Sequence, residues 1–159
     1  MFRWMLSAAE GAPLGLARAV LCLTLLGLIA CGKVEGVLVA SGQPLGDFTL
    51  ELTRCTSGAH QDFQGVVLLP DEDEPGGIIA VRDMAKGDYV RVEIPGSCDP
   101  GDQCRFVALD ASQCSTFDLD LEQSNTRVNL IWLIRGSLDF VCELEAGRAE
   151  AHARFEDCG

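Results

Sequence analysis

The sequence predicts an all-β domain, an antiparallel β-sandwich with a β-barrel as the alternative closure, and three observations carry the prediction. Apolar residues recur with period two in five stretches, the spacing of half-buried strands. Turn-forming clusters separate the candidate strands: Pro75-Gly76-Gly77, Lys86-Gly87-Asp88, Asp99-Pro100-Gly101-Asp102, Gln123-Ser124-Asn125 and Ala146-Gly147. After residue 30 no segment keeps a helical period over three turns, and short strands without intervening helices close as a sandwich or barrel.

Residues 1–30 read as a signal-peptide helix that precedes the domain. Arg3 and Arg18 come before the apolar run Ala19 to Ala30, and small Ala30 sits before a cysteine, the layout of a secretory signal with its cleavage site. The run is too short to cross the roughly 30 Å hydrocarbon core, which takes about 20 apolar residues, so cleavage is expected rather than a retained span. Residues 31–46 are expected to hold the new N-terminus, a short glycine-rich tether and a first edge strand around Val34 to Val39. Residues 47–159 fit one domain.

Within that domain Phe48, Leu50 and Leu52 alternate with Thr49, Glu51 and Thr53, and Val90, Val92 and Ile94 with Arg91 and Glu93. Phe117, Leu119 and Leu121 alternate with Asp118, Asp120 and Glu122, and Leu138, Phe140, Cys142 and Leu144 with Asp139, Val141 and Glu143. In the last stretch Ala149, Ala151, Ala153 and Phe155 alternate with Glu150, His152 and Arg154, so this strand should lie close against its neighbour. Val66 to Leu69, Ile78 to Val81 and Val128 to Ile134 are apolar on both faces, which predicts covered or central strands. Trp132 is expected at the centre of the core.

Leu28-Ile29-Ala30-Cys31 resembles the lipobox of bacterial lipoproteins. The resemblance implies cleavage between Ala30 and Cys31 and a diacylglycerol thioether on Cys31. Gly32 and Lys33 follow with no aspartate next to the cysteine, which in that family implies the outer membrane, on its periplasmic side or at the cell surface. Membrane lipid, reached through acylated Cys31, is thus the first expected partner. Two acyl chains suffice for stable anchoring where one is marginal.

The chain has 8 cysteines. With Cys22 lost and Cys31 acylated, the remaining six form an even set, and a small exported domain gains from bridging them. Cys98 and Cys104 bracket a tight turn and are expected to pair. A three-residue loop between Leu144 and Arg148 would set Cys142 opposite Glu150. Cys158 then lies about 27 Å further along the strand, far beyond the roughly 7 Å a disulfide spans. Cys55 with Cys142, and Cys114 with Cys158, are therefore the pairings expected.

The chain carries a net charge of −12. Without Arg3, Arg18 and Glu10 the mature part has 10 basic and 23 acidic side chains, a net of −13. Such a surface repels phosphate backbones, so no nucleic-acid partner is expected.

Little in the sequence points to catalysis. His60 follows Cys55-Thr56-Ser57-Gly58 in a polar loop, and His152 lies on the solvent side of its strand; neither accompanies a G-x-S-x-G motif. No C-x-x-C is present for redox chemistry or zinc. Asp71 to Glu74, Asp99 with Asp102, and Asp118, Asp120 and Glu122 gather carboxylates, but none has the calcium-loop spacing. No catalytic residue, metal ligand or cofactor is assigned.

Gly42-Gln43-Pro44-Leu45 with the strand after it resembles the first hairpin of carboxypeptidase-regulatory-like β-sandwiches. Most of the mature chain resembles a group of small uncharacterised bacterial lipoproteins. The shared elements are Cys55-Thr56-Ser57-Gly58, Phe63-Gln64-Gly65-Val66, Gly136-Ser137 before Cys142, and terminal Phe155-Glu156-Asp157-Cys158. The group implies export and four common cysteines, Cys55, Cys114, Cys142 and Cys158, and no activity. Cys98, Cys104 and Leu130 depart from it. A non-catalytic binding or envelope-structural module is the function expected, with an envelope protein as a further partner. The alternatives are an extracytoplasmic hydrolase, a calcium-dependent enzyme, or a carbohydrate-binding module using Trp132 and Tyr89.

Overall fold

The alternating stretches become paired strands in a computed structural model, which describes residues 32–60, 63–97, 104–128 and 131–159. The expected signal stretch, Cys31, Cys98 and the turn expected at 99–102 lie outside the described residues. Strands β1 (Lys33–Gln43) and β2 (Phe48–Leu52) open the domain, and β3 (Arg54–His60), β4 (Phe63–Leu69), β5 (Gly77–Asp83), β6 (Gly87–Glu93) and β7 (Phe106–Asp110) follow. A 3-10 turn at Ala111–Gln113 leads into β8 (Cys114–Val128), β9 (Ile131–Leu144) and β10 (Ala146–Cys158).

Two open five-stranded sheets result, ordered β2-β1-β10-β9-β8 and β3-β4-β5-β6-β7, with antiparallel pairing throughout. The chain leaves the first sheet through Thr53, runs a five-strand meander, and returns to finish the sheet it began. The architecture is thus the expected sandwich rather than a closed barrel.

The period-two residues face one shared core. Leu38, Leu50, Leu52, Leu138, Phe140, Ala151 and Phe155 from the first sheet meet Val66, Leu68, Ile78, Val90, Val92 and Leu109 from the second. Burying each large side chain is worth about 1.5–3 kcal/mol. The alanine row on β10 allows the close approach expected of it: a Cβ on Gly36 would sit 2.6 Å from that of Ala153, its partner across β1 and β10.

Four expectations are corrected. β1 is an interior strand between β2 and β10, not an edge, and it begins at Lys33. The period-two window at its start was masked by glycines, and the two chain ends pair with each other: Lys33 opposes Glu156. The β9–β10 turn is one residue tighter, with Leu144 opposite Gly147 and Cys142 opposite Ala149. Directly opposed residues share a face of the sheet, so inward Cys142 takes inward Ala149 rather than outward Glu150.

Trp132 is 43% exposed and so is not the centre of the core, which Phe140 and Phe155 occupy. The reason is position: β9 reaches past the end of β10 there, so Trp132 has no sheet neighbour on that side. Finally, the disulfides are Cys55–Cys158 and Cys114–Cys142, replacing the expected Cys55–Cys142 and Cys114–Cys158. The register of the β8–β9 hairpin sets Cys114 opposite Cys142, with Cα atoms 3.8 Å apart. That leaves the last residues of β10 beside the start of β3, where Cys158 and Cys55 meet at 5.2 Å. Cys104 is disulfide-bonded as well.

Candidate functional site

The end of the sandwich where the described chain begins concentrates the unusual features. Gly32 packs directly on the Cys55–Cys158 bridge. A Cβ added there would fall 2.6 Å from Cys55 Sγ and 2.9 Å from both the Asp157 oxygen and the Cys158 Cα. Gly32 is therefore part of the fold, held against a cross-link that joins the two sheets.

Beside it a cleft of about 340 Å³ opens on the outer face of the first sheet, lined by Lys33, Glu35, Glu122, Arg135, Arg154 and Glu156. It lies where β10 shifts register against β9 between Phe155 and Cys158, with Asp157 at φ 52°. Its charges pair within the lining: Lys33 Nζ is 2.8 Å from Glu35, and Arg135 Nη2 is 2.9 Å from Glu122. The hydrogen bond from Lys33 holds the Glu35 carboxyl below its ordinary pKa, and the same bond raises that of Lys33.

A second groove of about 220 Å³ lies on the same face nearer the sheet centre, and it holds His152. β10 presents the imidazole outward, directly across from Asp139 on β9, and Nδ1 shares a hydrogen bond with that carboxylate. Thr116 contributes a hydroxyl to the lining, but no hydrogen bond joins His152 to a hydroxyl among the described residues. His60 closes β3 rather than standing in a loop, and its side chain lies outside the described residues.

Among the described residues the acidic groups do not converge on one site. Asp71 accepts from the Thr53 hydroxyl at 2.8 Å, Glu72 lies 3.5 Å from Arg54, and Glu122 is taken by Arg135. Among the described residues no three His, Cys, Asp or Glu side chains gather as a metal site.

The aromatics expected of a carbohydrate platform are also apart. Tyr89 is on the second sheet, where the Arg91 guanidinium lies 5.6 Å from its ring and 4.9 Å from that of Phe106. Trp132 is on the first sheet, 5.3 Å from the guanidinium of Arg127. Neither arginine stack nor the fit of Gly32 was visible in the sequence, because each depends on strand register.

The chain matches no protein-family model, no curated protein and no solved structure.

Proposed function

We propose that the chain is an exported lipoprotein, held in the outer membrane by a diacylglycerol on Cys31, and that its sandwich is a non-catalytic binding or envelope-structural module. The supporting observation is the position of Gly32. The fold starts one residue after the lipobox cysteine and is seated on a disulfide, so a chain cut between Ala30 and Cys31 loses none of the described domain. Oxidised cysteines in a small β-domain suit an extracytoplasmic compartment.

The geometry at His152 fits a binding surface better than hydrolysis. Its side chain is 57% exposed in an open groove, whereas a general base works beside a positioned nucleophile. The outer face of the first sheet, where Lys33, Arg135 and Arg154 are interspersed with Glu35, Glu122 and Glu156, suits a protein of the envelope as partner rather than a polyanion.

Mass spectrometry of the protein extracted from membranes tests this reading. The expected product begins at Cys31 with an added diacylglycerol mass and carries the bridges Cys55–Cys158 and Cys114–Cys142. A Cys31→Ser chain that is still processed and membrane-bound would sink it.

A further inference from the structure

Beyond Cys158, β8 and β9 continue without β10 as a two-stranded ribbon. Ile134 is the last residue of β9 opposed by β10, and past it Trp132 pairs with Arg127 and Ile131 with Val128. Trp132 therefore stands two residues past the end of the three-stranded part, about 7 Å along the strand. This is the end at which the chain emerges from Cys31, because Gly32 rests on Cys158.

The ribbon exposes what a water-facing hairpin ordinarily hides. Large apolar side chains with substantial exposure among the described residues are Val37, Met84, Phe106, Val128 and Trp132, and two of these five lie here, Val128 at 49% and Trp132 at 43%. They belong to successive opposed pairs, so they point to opposite faces of the ribbon. A flat protein partner would cover one face only. A lipid surface that takes in Trp132 and Val128 surrounds both. Tryptophan suits the boundary, where its ring meets hydrocarbon and its N–H meets water. Arg127, lying over that ring, can keep its charge among the headgroups while its stem follows the indole. The base is firm, since Leu133 is buried and packs against Gly159.

We propose that this ribbon, through Trp132 and Val128, is a second membrane contact that enters the headgroup layer of the bilayer holding the anchor and sets the orientation of the sandwich. The proposal rests on the lipoprotein reading above. The two chemical signals, acyl chains and the apolar pair Trp132 and Val128, act in parallel, as stable peripheral attachment commonly requires. Because the contact is apolar rather than ionic, neutral lipid suffices and added salt leaves it in place.

Trp132 is the sole tryptophan after residue 30, so it reports on itself. The lipidated full-length product, shown by its mass to begin at Cys31, is placed in phosphatidylethanolamine–phosphatidylcholine vesicles and compared with the same protein in detergent-free buffer with carrier. On vesicles the emission is expected to move to shorter wavelength, acrylamide quenching to fall about twofold or more, and lipids brominated near the headgroup to quench. A Val128→Asp protein that keeps both bridges by mass analysis should float with the vesicles yet regain acrylamide quenching. If wild-type protein floats but Trp132 stays open to acrylamide and untouched by brominated lipid, the contact is overturned and the anchor stands. Failure to float overturns both.

Discussion

Arg82 on β5 donates from Nη2 to the main-chain oxygen of Leu119 on β8, and its Nη1 donates to that of Leu121 at 3.2 Å. β8 is the outer strand of the first sheet, and its unpaired carbonyls are the kind of template on which a second chain can add a strand. One half-buried guanidinium from the opposite sheet occupies two of them, with Asp88 at 3.4 Å beside it. An Arg82→Leu chain should lose about 1–3 kcal/mol in urea unfolding through bare buried carbonyls. Sedimentation should also detect self-association; a monomer of unchanged stability would remove the edge-guarding role.

The contact of Gly32 with Cys55 Sγ allows a direct comparison of glycines. Gly32→Ala forces backbone or bridge to move and is expected to cost about 1–3 kcal/mol. Gly46→Ala meets nothing within 4 Å, though its φ of +88° still carries a penalty of about 1 kcal/mol. Thermal unfolding of the two variants should rank them in that order, and a milder effect at Gly32 would contradict the close packing.

The bridges Cys55–Cys158 and Cys114–Cys142 should differ in worth. Cys55–Cys158 spans 103 residues and Cys114–Cys142 spans 28, so on the chain-entropy relation they restrict the unfolded state by about 4.7 and about 3.6 kcal/mol. Paired serine substitutions should therefore cost about 1 kcal/mol more at the first bridge than at the second. Equal or reversed losses in guanidinium melts would place the stabilisation in native packing instead.

Asp110 caps the 3-10 turn, accepting from the Ser112 amide at 2.8 Å while the Gln113 side chain accepts from the Asp110 amide. The Ser112 hydroxyl, and then the amide, hold its carboxyl below the ordinary aspartate value. A lowered folded-state pKa contributes stability that is present above the unfolded value and fades as pH falls through the folded one. Asp110→Ala is expected to destabilise the fold at neutral pH and progressively less in acid. A loss that is independent of pH would exclude the carboxylate as its source.

Glu35 and Lys33 give the complementary case at the other end of the domain. The carboxyl is lowered and the ammonium raised by their mutual hydrogen bond. Its contribution is therefore lost as pH drops through the Glu35 value and again as it climbs through that of Lys33. Both groups are fully exposed, so salt should screen the effect. NMR titration of the Glu35 carboxyl in the Lys33→Met protein should return it toward the ordinary glutamate range; no change would dissociate the two.

What was legible in the sequence is the part that depends on neighbours along the chain. Leu50, Leu52, Val90, Val92, Leu119, Leu121, Leu138, Phe140 and the alanines of β10 face inward as their alternation predicts, because strand facing has period two whatever the partner. Pairing between strands was not legible. Cys142 could be assigned to Cys114 only by knowing that β8 runs fifteen residues and bulges twice against β9. Trp132 misled for a related reason: an apolar run reads as buried, and only the relative lengths of β9 and β10 show that this one overhangs. His152 was placed correctly on the outer face, yet its contact with Asp139 required the register of two strands.

The sheet that holds the first strand is completed by the thirteen residues of the last one, because β10 slots between β1 and β9. Until that strand has been synthesised, β1 has only β2 beside it and the core lacks Phe155. Assembly must wait for the final segment, so every growing copy carries an open hydrophobic seam. Any helper that shields such seams would find its target in each unfinished molecule and lose it once β10 docks.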